Sequence, residues 1–454
     1  MSRVACVDVG STFTKAALVE LGTGRLVGTA SHPTTIATDV LDGVDACLRE
    51  MGAGQDVEVR VCSSAGGGLR LAVIGYERVV TAEAARRVGL SAGARVVHVG
   101  AGRLDAAGMA ELAASRPDIL LLAGGTDGGN AEVLVHNAAW LAGIQDGAPV
   151  SVPVVVAGNV EARAEVVGLL LSGGAPVLPT ANVLPRIGVL DPRPARVAIR
   201  EVFIRHVIGG KGLSRSARFA RLVRAATPDA VLAGVELLAD GAPGVPGLGD
   251  LLVVDVGGAT TDVYSVISPD HRDGPVRPTG VVEVLWRART VEGDLGVRWG
   301  APGVVDAAGT EHLLGPHEEV ELRAAAEERV ADPGLVPVDA RQSRLDARLG
   351  VLAATVALRR HARPARDQGD PGRDLQRVRL VLGSGGVFRH ADPEDAVAML
   401  VEVLGDVTGG WRLPERARVS VDARSVLAAA GLLAADQAPT AARLLAAELA
   451  GTAR

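Results

Sequence analysis

Apolar and polar positions alternate in blocks along this chain. Residues 3–9 form an apolar run into Asp-x-Gly, and Ala16–Leu21 followed by Gly22-Thr23-Gly24 reads as a second strand and turn. A third strand is predicted near Arg25–Ala30. Three early strands with a polar loop between the first two predict an antiparallel start. A dinucleotide fold would instead put its glycine loop between strand and helix. Residues 40–51 read as an amphipathic helix ending at Gly52. Apolar strands follow near 57–62, 95–100, 118–123 and 152–157, separated by Ala-rich helical stretches, which predicts an α/β layer architecture. Residues 195–235 read as largely helical, and Pro243, Pro246 and several glycines in 241–249 mark a linker. The chain restarts at Asp250 with a strand, a loop and a further strand near Asp262–Ile267. Residues 315–366 are charged and helical, as expected of an insertion or lid. Leu380–Leu382 is a further strand, and two helices near 393–405 and 424–436 close the chain, the first opened by Asp392-Pro393.

The restart is the most informative feature. Val-Asp-Val-Gly-Ser-Thr-Phe-Thr-Lys, ending at Lys15, is echoed by Val-Asp-Val-Gly-Gly-Ala-Thr-Thr-Asp, ending at Asp262, with Asp8 and Asp255 separated by 255 − 8 = 247 positions. Either loop alone could be a plain hairpin with polar turn residues. The pair suggests two duplicated halves that hold one phosphorylated ligand between them. Backbone N–H groups and hydroxyls in such a loop can wrap phosphate oxygens, while the carboxylate holds Mg²⁺, usually through water. Gly10 allows close backbone approach, Ser11 and Thr12 bring hydroxyls, and Lys15 is placed to neutralise a terminal phosphate. Gly257, Gly258, Thr260 and Thr261 repeat that chemistry. A third glycine turn, Gly383-Ser384-Gly385-Gly386, follows a buried strand and offers a flat surface for an adenine or ribose.

Ala123–Asn130 is another glycine-rich loop after a buried strand, with Thr126, Asp127 and Asn130. It reads either as a structural turn or as the inter-domain side of a cleft, with Asp127 positioning an attacking water.

Composition narrows the function classes. The 454 residues suggest about three domains. Hydrophobic residues make up 48% but aromatics only 2%, so Val, Leu, Ala and Ile must build the core. A net charge of −6 argues against a sequence-independent nucleic-acid binder. Arg86-Arg87 and Arg359-Arg360 read as solvated helix faces. Cys6, Cys47 and Cys62 share no metal-ligand spacing, and no His-x-x-x-His pair occurs. Gly209-Gly210-Lys211-Gly212 fails as a P-loop, because Gly212 stands where Ser or Thr should be. No signal peptide is read ahead of Val4, and no apolar run reaches the ~20 residues of a bilayer span. The expectation is a cytoplasmic protein with no membrane and no nucleic-acid partner.

Taken in order, the three glycine loops resemble the actin/Hsp70/sugar-kinase ATPase superfamily. The first shares Asp8, Gly10, Ser11 and Lys15 with actin's first phosphate loop. The second is similar to the Hsp70 form at Asp255, Gly257, Gly258, Thr260 and Asp262, with Ala259 in place of a third glycine. Glu292-Gly293-Asp294-Leu295-Gly296 resembles a later segment of Hsp70-like proteins. A closer resemblance spans nearly the whole chain. Pro117–Asn130, Val156-Ala157-Gly158-Asn159, Asn182-Val183-Leu184-Pro185, Lys211-Gly212-Leu213-Ser214 and Thr290–Gly296 look like the GlmL/MutL family, the accessory proteins of glutamate (methylaspartate) mutase, unrelated to mismatch-repair MutL.

This resemblance implies two ribonuclease H-like α/β domains facing across a nucleotide cleft. Residues 1–240 would form one half with inserted α/β elements. Residues 251–454 would form the other, with an inserted subdomain at about 300–375. It implies ATP and Mg²⁺ as ligands, and a role as an ATP-dependent reactivating factor for an adenosylcobalamin-dependent mutase. No Asp-x-His-x-x-Gly cobalamin motif occurs, so the partner would hold the cobalamin. A small-molecule kinase of the acetate or sugar type is the alternative. Its acceptor base could only be Asp127, Asp255 or Asp262.

Overall fold

A computed structural model describes residues 2–450, except 55, 66–68, 78–81, 83–84, 86–87, 90–91, 93, 145–148, 188, 209–211, 269–286, 364–372, 408 and 410. Arg86-Arg87 and Gly209-Gly210-Lys211 lie outside the described residues.

Two five-stranded sheets repeat one plan. In the first, β1 (Arg3–Val9), β2 (Phe13–Glu20) and β3 (Leu26–Pro33) are antiparallel, and β4 (Glu58–Ser63) and β10 (Val223–Ala226) extend the β1 edge in parallel. The order is β10-β4-β1-β2-β3. In the second, β13 (Leu251–Val256), β14 (Thr261–Val266) and β15 (Arg287–Glu292) are antiparallel, and β16 (Leu380–Ser384) and β17 (Arg418–Val421) follow in parallel. Their order, β15-β14-β13-β16-β17, matches the first strand for strand. Each sheet puts its central strand, β1 or β13, beside the loop that carries Asp-x-Gly. Val4, Val7, Val253 and Val254 are fully buried, which is why these strands read as continuous apolar runs.

Between β4 and β10 the chain builds a third sheet from β5 (Leu69–Gly75), β6 (Ala94–Ala101), β7 (Ile119–Leu122), β8 (Val154–Val156) and β9 (Val177–Pro179). All its pairs are parallel, in the order β6-β5-β7-β8-β9. The predicted series of strands is therefore split between two sheets. The 57–62 strand joins the first, and the other three join the third.

The two halves meet through helices Thr227–Asp240 and Val426–Leu433, which share one core with Val4, Cys6, Val253 and Leu380. These helices cross with their backbones in contact. A Cβ on Gly431 would lie 1.7 Å from the Ala230 carbonyl oxygen, and one on Gly234 would lie 2.2 Å from that of Leu427.

Several expectations are corrected. Residues 241–249 hold a small hairpin, β11 (Gly241–Ala242) with β12 (Val245–Pro246), rather than an unstructured linker. β10 interrupts the stretch read as largely helical, and helix Ala438–Leu445 follows the one read as last. The charged 315–366 region forms helices Pro316–Ala331 and Ala340–Ala362, but the second is no lid. Its Leu349, Leu352 and Val356 pack in one cluster with Val254, Val263 and Val381 of the second sheet. Arg359 is not a solvated face. It is 7% exposed and pairs with Asp406 (2.5 Å) and Glu311 (3.2 Å), while Arg360 pairs with Glu292 at 2.6 Å. Among the described residues no helix is long and apolar enough to cross a membrane.

Candidate nucleotide cleft

Each half builds its loop on the same backbone frame. Asp8 pairs with Lys15 across β1 and β2, and the Gly10 N–H donates to the Phe13 carbonyl at 3.1 Å. Asp255 pairs with Asp262 across β13 and β14, and the Gly257 N–H donates to the Thr260 carbonyl at 2.9 Å. Both turns need glycine. A Cβ would stand 2.7 Å from the Phe13 oxygen in one and 2.9 Å from the Thr260 oxygen in the other.

Each loop is also held by a segment next to it. The Thr34 N–H donates to the Thr12 carbonyl at 2.8 Å, and the Thr34 hydroxyl to the Gly10 carbonyl at 2.9 Å. Opposite, the Val297 and Arg298 N–H groups donate to the Gly257 and Gly258 carbonyls at 3.0 and 2.8 Å. Gly296 allows this approach, since its Cβ would sit 2.3 Å from the Ala259 carbonyl carbon. The two loops face one another closely enough that a Cβ on Gly258 would lie 2.5 Å from Thr12 Oγ1.

The charges around the two aspartates differ. Asp8 accepts a 2.5 Å hydrogen bond from the hydroxyl of Thr227, which opens the Thr227–Asp240 helix, and Lys15 Nζ lies 4.0 Å from its other oxygen. Burial raises the Asp8 pKa. Lys15 and the Thr227 hydroxyl offset part of the rise, and the Asp255 charge adds to it. Asp262 accepts from Arg289 Nη2 at 2.6 Å and Nε at 2.9 Å. Burial raises the Asp262 pKa too, opposed mainly by Arg289. Behind the third loop, Asp422 accepts from the Val426 and Leu427 N–H groups at 2.8 and 3.1 Å, satisfying the start of the Val426–Leu433 helix. Arg389 donates to the Ser425 hydroxyl at 2.9 Å. Burial lowers its pKa, against the pull of Asp422, Asp8 and Asp255.

A cavity of about 1180 Å³ is lined by both loops and by the third glycine turn. Asp8, Gly10, Ser11, Thr12 and Lys15 line it from one side, and Asp255, Gly257, Gly258, Thr260 and Asp262 from the other. Gly385, Gly386 and Arg389 also reach it. Two of its polar atoms, Thr12 Oγ1 and Arg389 Nε, are buried without a hydrogen-bond partner. Unmet donors in a cavity with two facing carboxylates fit a polyanion bound with a divalent cation. Among the described residues no group of three or more His, Cys, Asp or Glu could hold a metal. A cation beside Asp8 and Asp255 would therefore take most ligands from phosphate oxygens and water.

Four expected site residues fall outside the cavity lining, along with one loop. The Thr261 hydroxyl is fully buried and donates to the Leu295 carbonyl at 2.6 Å, so it holds the Leu295 segment instead of a phosphate. Gly383 faces inward, where a Cβ would meet Leu400 and Phe388 at 3.1 Å. Ser384 ends β16 and does not line the cavity, so Gly385 and Gly386 alone present the third turn. Gly385 has φ +102°, and its Cβ would lie 2.0 Å from the Val256 carbonyl oxygen. Asp127 does not line the cavity either. Its Oδ1 accepts from the Val160 N–H at 3.1 Å and from Asn182 Nδ2 at 2.9 Å. Asn159 Nδ2 donates to the Gly129 carbonyl at 2.8 Å, and Asn182 Nδ2 to that of Gly125 at 2.9 Å. The Ala123–Asn130 loop thus knots together the ends of β7, β8 and β9. Sequence reasoning missed Thr227 and Arg389, which line the cavity, and Asp422, which supports the third turn from behind. The Thr227-Pro228-Asp229 helix start was a usable signal for the first, and the other two had none.

Two sheets of identical order, each with its Asp-x-Gly loop at one cleft, define the duplicated ribonuclease H-like fold of the actin/Hsp70 class. The model of the MutL protein family matches residues 4–449. Over 462 aligned residues, covering 98% of each chain, this chain is 35% identical to Protein MutL of Clostridium tetanomorphum. The chain belongs to the MutL protein family. Among solved structures it is similar to an activator of 2-hydroxyisocaproyl-CoA dehydratase from Clostridium difficile with bound ADPNP, at 10% identity, 96% of each chain and a TM-score of 0.34. It is also similar to a xylulose kinase from Bifidobacterium adolescentis, at 12% identity, 98% of this chain, 93% of that one and a TM-score of 0.33. The fold class stands on strand order, not on these superpositions.

Proposed function

We propose that this protein binds Mg-ATP between its halves and uses the nucleotide to act on an adenosylcobalamin-dependent mutase, namely glutamate (methylaspartate) mutase, releasing inactive cobalamin from it. The observation that carries the reading is the matched pair of Asp-x-Gly loops at one cavity with unmet donors. Membership of the MutL family supports the accessory role.

In this reading Ser11, Thr12, Lys15, Gly257, Gly258 and Thr260 hold the phosphates. Asp8 and Asp255 orient the Mg²⁺, and Gly385 and Gly386 lie against the nucleoside. The Mg²⁺ would neutralise phosphate charge and draw the two carboxylates toward one ligand. Because phosphate contacts come from both halves, a triphosphate ties them together, and hydrolysis removes one tether. The angle between the halves then shifts as a population, and a partner bound differently by the two states is loosened. The mutase supplies the cobalamin.

The test is to trap the mutase on a non-exchangeable cobalamin, then add this protein, Mg-ATP and free adenosylcobalamin. Mutase activity should return only with ATP, and not with Asp255→Ala. Phosphorylation of a small metabolite at enzymatic rates, with no mutase recovery, would establish a small-molecule kinase instead. Small-angle scattering should separate the ADP state from that with a non-hydrolysable ATP analogue. Identical profiles would refute the closure step.

A further inference from the structure

The third sheet touches the cleft, and the nucleotide reading alone gives it nothing to do there. β6 runs beside the second half so that Arg289 Nη1 reaches the Ala94 carbonyl at 3.5 Å, while the same guanidinium holds Asp262. The next residue, Arg95, lines the cavity. Its Cζ lies over Gly293, where a Cβ would be only 2.8 Å away. Gly293 follows Glu292, which pairs with Thr261 next to the second loop. The Arg95 guanidinium therefore sits on the wall of the cleft that carries Thr260.

Its bonding sets Arg95 apart. Arg289 is committed to Asp262, Arg298 to Asp346 at 2.8 Å, and Arg389 to Ser425. Among the described residues the Arg95 side chain has no hydrogen-bond or ion-pair partner. Arg344, on the Ala340–Ala362 helix, is also unpaired, but it belongs to the second half. Arg95 is the unpaired cation that enters from the inserted sheet.

We infer that Arg95 contacts the terminal phosphate of a nucleotide bound in this cleft, and that this contact couples the inserted parallel sheet to the nucleotide state. The inference rests on the nucleotide reading above. A guanidinium donates two N–H groups to phosphate oxygens in a fixed fork and takes no proton at neutral pH. In hydrolysis a water oxygen bonds to the γ-phosphorus, the bond to the ADP oxygen breaks, and the water proton leaves to phosphate or solvent. Arg95 meets only the charge on the transferring group. When the γ-phosphate leaves, the sheet loses this charged hold on the ligand.

The test uses the full chain with Arg95→Ala and Arg95→Lys. Calorimetry would compare ADP with a non-hydrolysable ATP analogue, both with Mg²⁺. Arg95→Ala should weaken the triphosphate by about tenfold or more, the scale of one charge-assisted hydrogen bond, and leave ADP within about threefold. Arg95→Lys should restore part of the difference, which a purely structural role would not. Equal effects on both nucleotides, or none on either, would overturn the inference. If the wild-type chain binds neither nucleotide, the nucleotide reading itself fails, and the two failures are told apart.

Discussion

At the same point in two matching hairpins, the first half sets Lys15 opposite Asp8 and the second sets Asp262 opposite Asp255. The backbones agree down to the turn-closing bonds at Gly10 and Gly257. The charges do not. Around the first loop one carboxylate faces one ammonium. Around the second, Arg289 bonds the carboxylate of Asp262, while Asp255 lies within the pull of Arg389 beside the third turn. Duplication has kept the frame that presents N–H groups and let the side chains divide the work. In the proposed site the first loop would present Lys15 to phosphate, and Asp255, whose side chain has no hydrogen bond or ion pair among the described residues, would turn to the cation.

The largest effect should come from removing the cation that the second loop needs. Arg289 is 2% exposed and Asp262 10%, so Arg289→Ala strands a buried carboxylate. Urea unfolding should show a loss of about 3–5 kcal/mol. Lys15→Ala, at a side chain 25% exposed, should cost no more than about 1 kcal/mol. Equal losses would end the asymmetry between the two loops.

Next in size are the two carboxylates proposed to face the metal. Asp255→Asn should weaken Mg²⁺-dependent nucleotide binding by about 3 kcal/mol and Asp8→Asn by about 2 kcal/mol, on the scale of charge-assisted contacts. Calorimetry that found Mg-ATP affinity unchanged in both would remove the metal assignment.

Acid should reproduce part of the Asp8 effect. Cation binding requires the ionised carboxylate, and burial raises the Asp8 pKa. Protons therefore compete sooner than at an ordinary aspartate. Affinity should hold at neutral pH and begin to fall at a higher pH than the usual carboxylate range. Asp8→Asn should flatten that acid limb.

The smallest effect separates neighbouring threonines. Thr261→Val loses a buried hydrogen bond and should cost about 1 kcal/mol of stability, with nucleotide affinity unchanged. Thr260→Val should do the reverse. Affinity lost at Thr261 would return that residue to the site.

How much of this was legible in the chain depended on distance along it. The paired loops were readable because strand, aspartate, glycine and hydroxyl lie within about a dozen residues, where local geometry dictates the turn. The partition of strands was not. β4 and β5 are separated by only a few residues yet enter different sheets, and β5 was not read from the sequence. Asp127 kept two readings in the sequence because a glycine-rich loop after a buried strand has one appearance and two uses. Only its partners, Val160 and Asn182, reveal that its Oδ1 is engaged within the loop cluster. Arg95 and Asp422 gave no signal, since their meaning lies in contacts with Gly293 and with the start of a distant helix.

The crossing at Gly234 and Gly431 has a mechanical consequence. Two rods pressed backbone to backbone cannot slide, because each carbonyl blocks the other's path. Pulling them apart would strip a shared core bare. The freedom that remains is to turn about the point of contact, like scissor blades on their rivet. Displacement there is close to nil and grows with distance from it. The inserted sheet packs in cores separate from the crossing, and in the proposed closure it would be the end of the tool that travels.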